Sequence, residues 1–214
     1  MAAVPETDGL IAGLAREAGG GRVGPRAFKV LLAAAALGGL GIAVALVLAL
    51  DGARPDLAAA VQRAPFAYKL ASMLALSLGG LFLAVRAALP GSGRLTLAAF
   101  LPAVLVLGFR AATDRSGLSI MGNSGISVHQ CVLTILGVSL PALVVLLGVM
   151  RIGAPTRPAL AGAIAGALSG GLGAAAYALA CKNDAGLFVA LWYPLAILVM
   201  AALGAAAGRR VLAW

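Results

Sequence analysis

Six long apolar stretches, separated by short polar connections, dominate the chain. Crossing the hydrocarbon layer of a bilayer, about 30 Å thick, takes about 20 apolar helical residues, and most of these stretches reach that length. Helix is the only backbone that suits them, because unpaired amide groups are intolerable in hydrocarbon and the alternating pattern of a membrane barrel is absent. We therefore predict an all-α membrane protein, a bundle of six transmembrane helices at residues 28–50, 66–88, 95–112, 128–150, 158–180 and 187–207.

The third span is the shortest of the six. Its uninterrupted core, residues 95–109, rises only about 22 Å at 1.5 Å per residue, so we expect Arg94 and Arg110 to reach the two interfaces with their long side chains. Pro102, Pro141 and Pro194 fall inside predicted spans and are expected to bend them.

A short amphipathic helix is predicted in the polar N-terminal segment, over residues 7–18. Thr7 and Asp8 are both residue types that cap a helix. Leu10, Ile11 and Leu14 then share one face and form a narrow apolar stripe. The glycine run that follows ends the helix and supplies a flexible joint before the first span.

The first apolar stretch has a cleaved signal peptide as its alternative interpretation. It begins late, is too long and lacks a clear small-x-small cleavage site, so we keep it as a membrane span. Three parts follow from this choice: an N-terminal segment at 1–27, a six-helix transmembrane domain at 28–208 and a short tail at 209–214.

The orientation follows from the Lys and Arg residues, which are in excess on the cytoplasmic side of membrane proteins. The side that holds both termini carries ten of them: Arg16, Arg22, Arg26, Lys29, Arg86, Arg94, Arg151, Arg157, Arg209 and Arg210. The other side carries six: Arg54, Arg63, Lys69, Arg110, Arg115 and Lys182. We therefore expect both termini in the cytoplasm and the connections near Asp56, Ser124 and Asn183 outside.

Composition agrees with a membrane protein and argues against nucleic acid as a partner. The chain is 62% hydrophobic and 11% charged, with a mean hydropathy of +1.05, which suits lipid rather than a soluble domain. Its net charge is +9, but the basic residues lie singly at the ends of apolar stretches and aromatic residues make up only 5%. A nucleic-acid site needs a clustered basic face with stacking aromatics, so we expect no direct binding of DNA or RNA.

The two cysteines are the main candidates for chemistry. Cys131 begins the fourth predicted span and Cys181 ends the fifth, which places both at the outer surface, and His129 lies two residues before Cys131. Such a pair can respond to oxidants or bind soft metals, with His129 as an additional ligand. We rank a redox- or metal-responsive pair first, inert packing second and a lasting structural disulfide third, since cysteine is also a common small apolar residue.

Gly162, Gly166 and Gly170 recur every four residues and give the fifth span an almost flat face. Close helix packing is the favoured interpretation, either within one chain or between two copies in a homo-oligomer. A phosphate-binding loop is poorly supported, because no strand precedes these glycines and no Gly-Lys-Ser/Thr follows them.

Enzymatic and transport functions find little support in the sequence. There is no Cys-x-x-Cys, and a single histidine without a nearby acidic partner provides neither a triad nor a carboxylate pair. No ionisable residue falls in the middle third of any predicted span, whereas ion-coupled carriers usually keep such groups there. We expect a protein that is not an enzyme and needs no cofactor, with a small permease or transporter subunit as the alternative function.

Several motifs resemble the NrsF-like proteins, over nearly the whole chain. They are the opening Thr7-Asp8-x-Leu10-Ile11-x-x-Leu14, the stretch Gly153-Ala154-Pro155-Thr156-Arg157-Pro158-Ala159-Leu160-Ala161-Gly162, the pair Tyr177-x-x-x-Cys181, and the closing Leu187-Phe188-Val189-Ala190-Leu191-Trp192-Tyr193. The Pro-Thr-Arg-Pro and Leu-Trp-Tyr segments are fairly specific, while the N-terminal pattern alone is weak.

The resemblance implies a six-span protein of the bacterial inner membrane that negatively regulates an extracytoplasmic-function sigma factor. It further implies that the sigma factor is held at the membrane and released under heavy-metal or oxidative stress. The residues accommodate both implications: Leu10, Ile11 and Leu14 are suited to bind a groove on a soluble partner, and Cys131 and Cys181 provide a switchable pair on the opposite side.

Overall fold

Helices make up most of the computed structural model, which describes residues 9–13, 23–89, 96–123 and 126–213. The described residues contain six helices of twelve residues or more: α1 (Pro25–Leu50), α2 (Ala64–Ala88), α3 (Leu101–Ala112), α4 (Val128–Ile152), α5 (Pro158–Tyr177) and α6 (Gly186–Val211). A one-turn helix, Leu57–Ala60, lies before α2, and a 3-10 helix, Leu97–Phe100, leads directly into α3. Two-residue strands, β1 (Gly122–Asn123) and β2 (Ile126–Ser127), pair antiparallel before α4.

Five of these helices, α1, α2, α4, α5 and α6, are long and apolar enough to cross a membrane. The sixth apolar helix, Leu97–Ala112, is shorter. Apart from the two short strands, the all-helical fold is therefore confirmed for the described residues. The count of six spans stays a prediction, because it depends on this short helix.

The helix ends differ from the predicted spans at two informative places. The fifth helix ends at Tyr177 rather than at residue 180, because the N–H groups of Ala180 and Cys181 both donate to the Tyr177 carbonyl and form a turn. Pro102 lies in the first turn of α3, directly after the 3-10 helix, and not in the interior of an α-helix. A proline there removes no helical hydrogen bond, while Pro141 and Pro194 do lie inside helices.

Helix α5 is the centre of the bundle, and most of its residues are buried. It packs against α1, α2, α4 and α6. Small side chains make this possible, since glycine and alanine let neighbouring backbones approach closely. Gly162 and Gly166 lie against Gly204 and Gly208 of α6, so the glycine face is covered by a neighbour within the same chain.

The bundle has two ends, which we name after residues in their connections. The Asp56 end holds the α1–α2, α3–α4 and α5–α6 connections, and the Arg157 end holds the α4–α5 connection, the start of α1 and the end of α6. Each end has its own apolar core. The core at the Asp56 end includes Val47, Met73, Ile135, Phe188 and Tyr193, and the core at the Arg157 end includes Phe28, Leu83, Leu146, Leu168 and Met200.

Helix α3 runs antiparallel to α2 and covers only the part of it nearer the Asp56 end. Residue Ala99 lies against Gly79, in the middle of α2. At the other end of α3, the Arg110 guanidinium lies 5.7 Å from the centre of the Tyr68 ring, near the start of α2. The half of α2 nearer the Arg157 end therefore has no cover from α3.

The N-terminal segment is described only at residues 9–13, which are helical. Leu10 and Ile11 are 64% and 58% exposed, so neither side chain packs into the bundle. Leu14, the third predicted anchor, lies outside the described residues, as does most of the predicted helix over 7–18.

Candidate functional site

The connection between α5 and α6 places Cys181 at the Asp56 end of the bundle. The Cys181 N–H donates to the Tyr177 carbonyl at 3.0 Å, and the Arg54 N–H donates to the Leu179 carbonyl at 3.0 Å. The Asn183 side chain accepts a hydrogen bond from the Ala185 N–H at 3.0 Å, just before α6 begins. These bonds fold the connection inward over the core, so Cys181 lies in a tight loop and not in a helix.

Both cysteines are buried and free, with 0% of Cys131 and 2% of Cys181 exposed. They belong to the same apolar cluster, and the Cys181 thiol lies 3.7 Å from the Asn183 carbonyl oxygen. The structure thus brings the two residues to one end of the molecule, but it shields the thiols, whereas the sequence interpretation placed them at an exposed surface. His129 is exposed in the first turn of α4, two residues after the end of β2, and does not share this environment.

A buried charged cluster surrounds the backbone of Cys181. Lys69, in the second turn of α2, donates to the carbonyl oxygens of Cys181 and Asn183, each at 3.0 Å, and to Asp184 at 3.1 Å. Its three bonds satisfy all three donors of the ammonium group, which is what a buried lysine requires.

Arg54, from the α1–α2 connection, completes the cluster. It contacts Asp56 at 2.7 Å, Asp184 at 2.8 Å and the Cys181 carbonyl oxygen at 3.2 Å. The hydrogen bond to Asp56 raises the pKa of Arg54 above its usual value, against the opposing effect of burial, and Asp184 adds to the increase. The same hydrogen bond lowers the pKa of Asp56. The pair therefore stays ionised at neutral pH.

Two tyrosines line the inner side of the same cluster. The rings of Tyr177 and Tyr193 lie 6.3 Å apart, and Lys69 Nζ lies 5.4 Å from the centre of the Tyr193 ring. The Tyr193 hydroxyl is fully buried, and apart from the nearby Cys181 thiol, a weak hydrogen-bonding group, it has no hydrogen-bond partner among the described residues. A buried hydroxyl without a strong hydrogen bond is destabilising, so the Tyr193 hydroxyl is still able to form a hydrogen bond next to Cys181.

A narrow cavity leads to this cluster from between α2, α3 and α6. Its volume is about 10 Å³, enough for one water molecule, and its walls include Tyr68, Lys69, Arg110, Asp184 and Gly186. Lys69 and Asp184 thus belong both to the wall of the cavity and to the contacts of the Cys181 loop, our name for the α5–α6 connection at residues 178–185.

From the sequence, we interpreted Arg54, Lys69 and Asp184 only as charges that mark one side of the membrane, and we did not predict that they form a cluster. Lys69 could have been recognised from the sequence as a residue that needs partners, because it lies inside a predicted apolar span at 66–88, where a charge is energetically costly unless it is paired. Its acceptors come from a connection more than a hundred residues away, so they do not follow from local sequence. Among the described residues, no group of three or more His, Cys, Asp and Glu side chains is arranged to hold a metal ion.

Comparison with known proteins identifies the family. The family model described as negative regulator of sigma F (NrsF) matches residues 14–214. The chain is 38% identical to the anti-sigma-F factor NrsF of Caulobacter vibrioides, over 97% of this chain and 99% of that protein. It is 34% identical to the probable anti-sigma-F factor NrsF of Azospira oryzae, over 98% of this chain and 100% of that protein. No solved structure matches the chain.

These matches cover the bundle, both cysteines and the charged cluster, and they confirm the resemblance that the sequence motifs indicated. The chain therefore belongs to the NrsF family of negative regulators of sigma F, which are anti-sigma factors.

Proposed function

We propose that the chain is an integral protein of the bacterial inner membrane that sequesters an extracytoplasmic-function sigma factor in the cytoplasm. It releases that factor under heavy-metal or oxidative stress, which it senses at Cys131 and Cys181 on the periplasmic side. The observation that carries the proposal is the similarity to two anti-sigma-F factors over nearly the whole length of all three chains. This similarity favours a regulator over a permease.

The membrane topology in this proposal has six spans, with α3 and its preceding 3-10 turn as the third. The Asp56 end faces the periplasm and the Arg157 end faces the cytoplasm, as the Lys and Arg distribution predicts. The cysteine pair and the N-terminal segment then lie on opposite sides of the bilayer. Signalling between them requires the bundle itself to change its arrangement.

The sigma factor binds the N-terminal segment in this proposal. Leu10 and Ile11 are exposed on a short helical stretch, which leaves them available to a partner. With Leu14 they provide anchors at the i, i+1 and i+4 positions of one helix face, the pattern that docks into an apolar groove.

The stress signal acts on the two thiols. A two-electron oxidant takes one electron from each sulfur and two protons leave as a disulfide forms, while a soft divalent cation displaces the two thiol protons as it binds both thiolates. Both thiols are buried, so the agent has to be small or the Cys181 loop has to open. Reduced thiols are thus protected from larger reagents until the loop moves.

A pull-down from membranes tests the binding assignment. Replacing Leu10, Ile11 and Leu14 together by Glu places charges on the anchoring face, so we expect that no sigma factor copurifies in detergent and that its regulon rises without stress. Ala12→Glu is the matched control, because Ala12 lies on the opposite face of the same helix and this variant should retain the sigma factor. Retention by the triple variant would refute the assignment.

A further inference from the structure

Three segments of the chain meet at a single backbone carbonyl group, that of Cys181. Lys69 comes from α2, Arg54 comes from the α1–α2 connection, and both donate to this oxygen, at 3.0 Å and 3.2 Å. Lys69 also donates to the Asn183 carbonyl. Two cations therefore determine where the backbone of the Cys181 loop lies.

Asp184 joins the two cations and belongs to the same loop. Its carboxylate accepts from Lys69 at 3.1 Å and from Arg54 at 2.8 Å. The side chains of Lys69 and Arg54 are only 1% and 3% exposed. Cations this deeply buried depend on their acceptors, because an uncompensated charge in such a place is strongly destabilising.

Modification of the Cys181 sulfur cannot leave this arrangement intact. Cys181 is 2% exposed and its thiol lies 3.7 Å from the Asn183 carbonyl oxygen, so a substituent on the sulfur has to displace neighbouring atoms of the loop. The sulfur and the carbonyl belong to one residue, and moving the residue to admit a substituent withdraws acceptors from Lys69. The buried ammonium then regains partners only if the Lys69 side chain, or the end of α2 that carries it, shifts toward water.

We propose that Lys69, Arg54 and Asp184 form a latch that holds the Cys181 loop closed over the two thiols, and that modification of Cys181 opens it. The narrow cavity beside Lys69 and Asp184 is the route by which small reagents arrive once the latch is loosened. The link to stress signalling rests on the proposed function. The latch itself is a property of the folded chain and is testable without any sigma factor.

The first measurement is the rate at which N-ethylmaleimide alkylates each cysteine of the full-length protein in detergent, followed by mass spectrometry. Asp184→Asn keeps the shape of the side chain and removes the charge, so we expect Cys181 to react about tenfold faster or more, because the labelling rate follows the open population. Lys69→Met should act in the same direction. Rates within about twofold of the parent protein in the folded Asp184→Asn variant would overturn the latch.

Arg63→Met is the matched control for these variants. Arg63 is exposed and pairs only at 3.7 Å with Asp56, outside the contacts to Cys181, so its removal should leave both rates unchanged. Thermal unfolding of each variant shows whether it is folded. Asp184→Asn decides the outcome if Lys69→Met does not fold.

The second measurement tests whether modification of Cys181 exposes Lys69. A latch predicts this exposure, whereas an ion pair with a purely structural role does not. The Cys131→Ser protein is alkylated at Cys181 and then treated with an amine-acetylating reagent. Lys69 should be acetylated only after alkylation, whereas exposed Lys182 reacts in both samples and serves as the internal reference. Protection of Lys69 in the alkylated protein would overturn the proposal.

Failure of the latch and failure of the proposed function are distinguishable. If a strain with Cys131→Ser and Cys181→Ser still releases its sigma factor under metal or oxidant stress, the cysteines are not the sensor and the proposed function is wrong in that respect. The labelling and acetylation rates then still decide whether the latch exists.

Discussion

At Gly166 the absence of a single methyl group decides whether α5 and α6 pack. A Cβ atom at this position would lie 2.8 Å from the Cα atom of Ala201, closer than real side chains approach a backbone. The contact is reciprocal, since a Cβ atom at Gly204 would lie 2.9 Å from the Cα atom of Gly166. Because α6 occupies this face, the glycines bring two helices of one chain together and do not leave the face free for a second copy.

A pair of glycine variants tests this packing. We expect Gly166→Ala to destabilise the bundle by about 1–3 kcal/mol or more, because the added methyl group overpacks a backbone contact. Gly137→Ala in α4 meets nothing within 4 Å and should be neutral or stabilising by up to about 1 kcal/mol, as alanine favours helix. Thermal unfolding in detergent measures both. Equal melting temperatures for the two variants would contradict the packing account.

At the scale of elements, the short helix from Leu97 to Ala112 decides the topology. Its 3-10 turn and α3 together rise about 26 Å, less than the roughly 30 Å of hydrocarbon in a bilayer. It nevertheless runs antiparallel to α2 and ends beside the starts of α2 and α6, where Arg110 lies against Tyr68 and Gly186. Because of this course we predict that the helix crosses the bilayer, with the long side chain of Arg110 at its end.

Side-specific labelling of engineered cysteines tests whether this helix crosses. Ser92→Cys lies before it and Ser116→Cys lies after it, so a membrane-impermeant maleimide applied to spheroplasts should label only Ser116→Cys. The parent protein is the control, since its two native thiols are buried and should give little background. If the helix does not cross, both positions lie on one side of the membrane, so the two variants would be labelled alike, either both or neither, and the chain would have five spans.

At the scale of the whole molecule, polar contacts tie the connections of the Asp56 end to one another. Gln130 donates to Asp51 at 3.2 Å, and the Trp192 indole donates to the Ile120 carbonyl at 2.7 Å. The Leu187 N–H at the start of α6 donates to Asp114 at 2.9 Å. At the Arg157 end the helices pack through the apolar core that includes Phe28, Leu83 and Met200.

The Asp114 contact predicts how stability depends on pH. Burial acts to raise the pKa of Asp114, but hydrogen bonds from the N–H groups of Leu187 and Ser116 outweigh it and lower the pKa below 3.8. A lowered folded pKa means that the stabilisation is complete above the unfolded value and is lost as pH falls through the folded one.

We therefore expect the melting temperature in detergent to be constant near neutral pH and to fall below pH 3.8. Asp114→Asn should melt at a lower temperature than the parent at neutral pH, and the difference between the two should shrink in acid. A constant difference over the whole pH range would contradict this role. Arg115→Gln, one residue further along the same connection, is the control that should leave the pH dependence unchanged.

Much of the fold could be predicted because its signals are local. Five apolar stretches became long helices with ends within a few residues of the predicted ones, since hydrophobic length and backbone hydrogen bonding act within each segment. Pro102 falls in the first turn of α3 because a 3-10 helix occupies the start of the predicted span, and no sequence signal indicated that 3-10 helix. Leu10 and Ile11 are exposed and Leu14 lies outside the described residues, so the amphipathic helix stays a prediction.

By itself, the sequence determined the helical class, the apolar segments and, through its motifs, the family. Only the tertiary structure decided that Cys131 and Cys181 are shielded, and that Lys69 binds the Cys181 carbonyl from 112 residues away. The physical reason is that a helix satisfies its own backbone along the chain, whereas a buried charge is stable only where distant segments bring their oxygens to it.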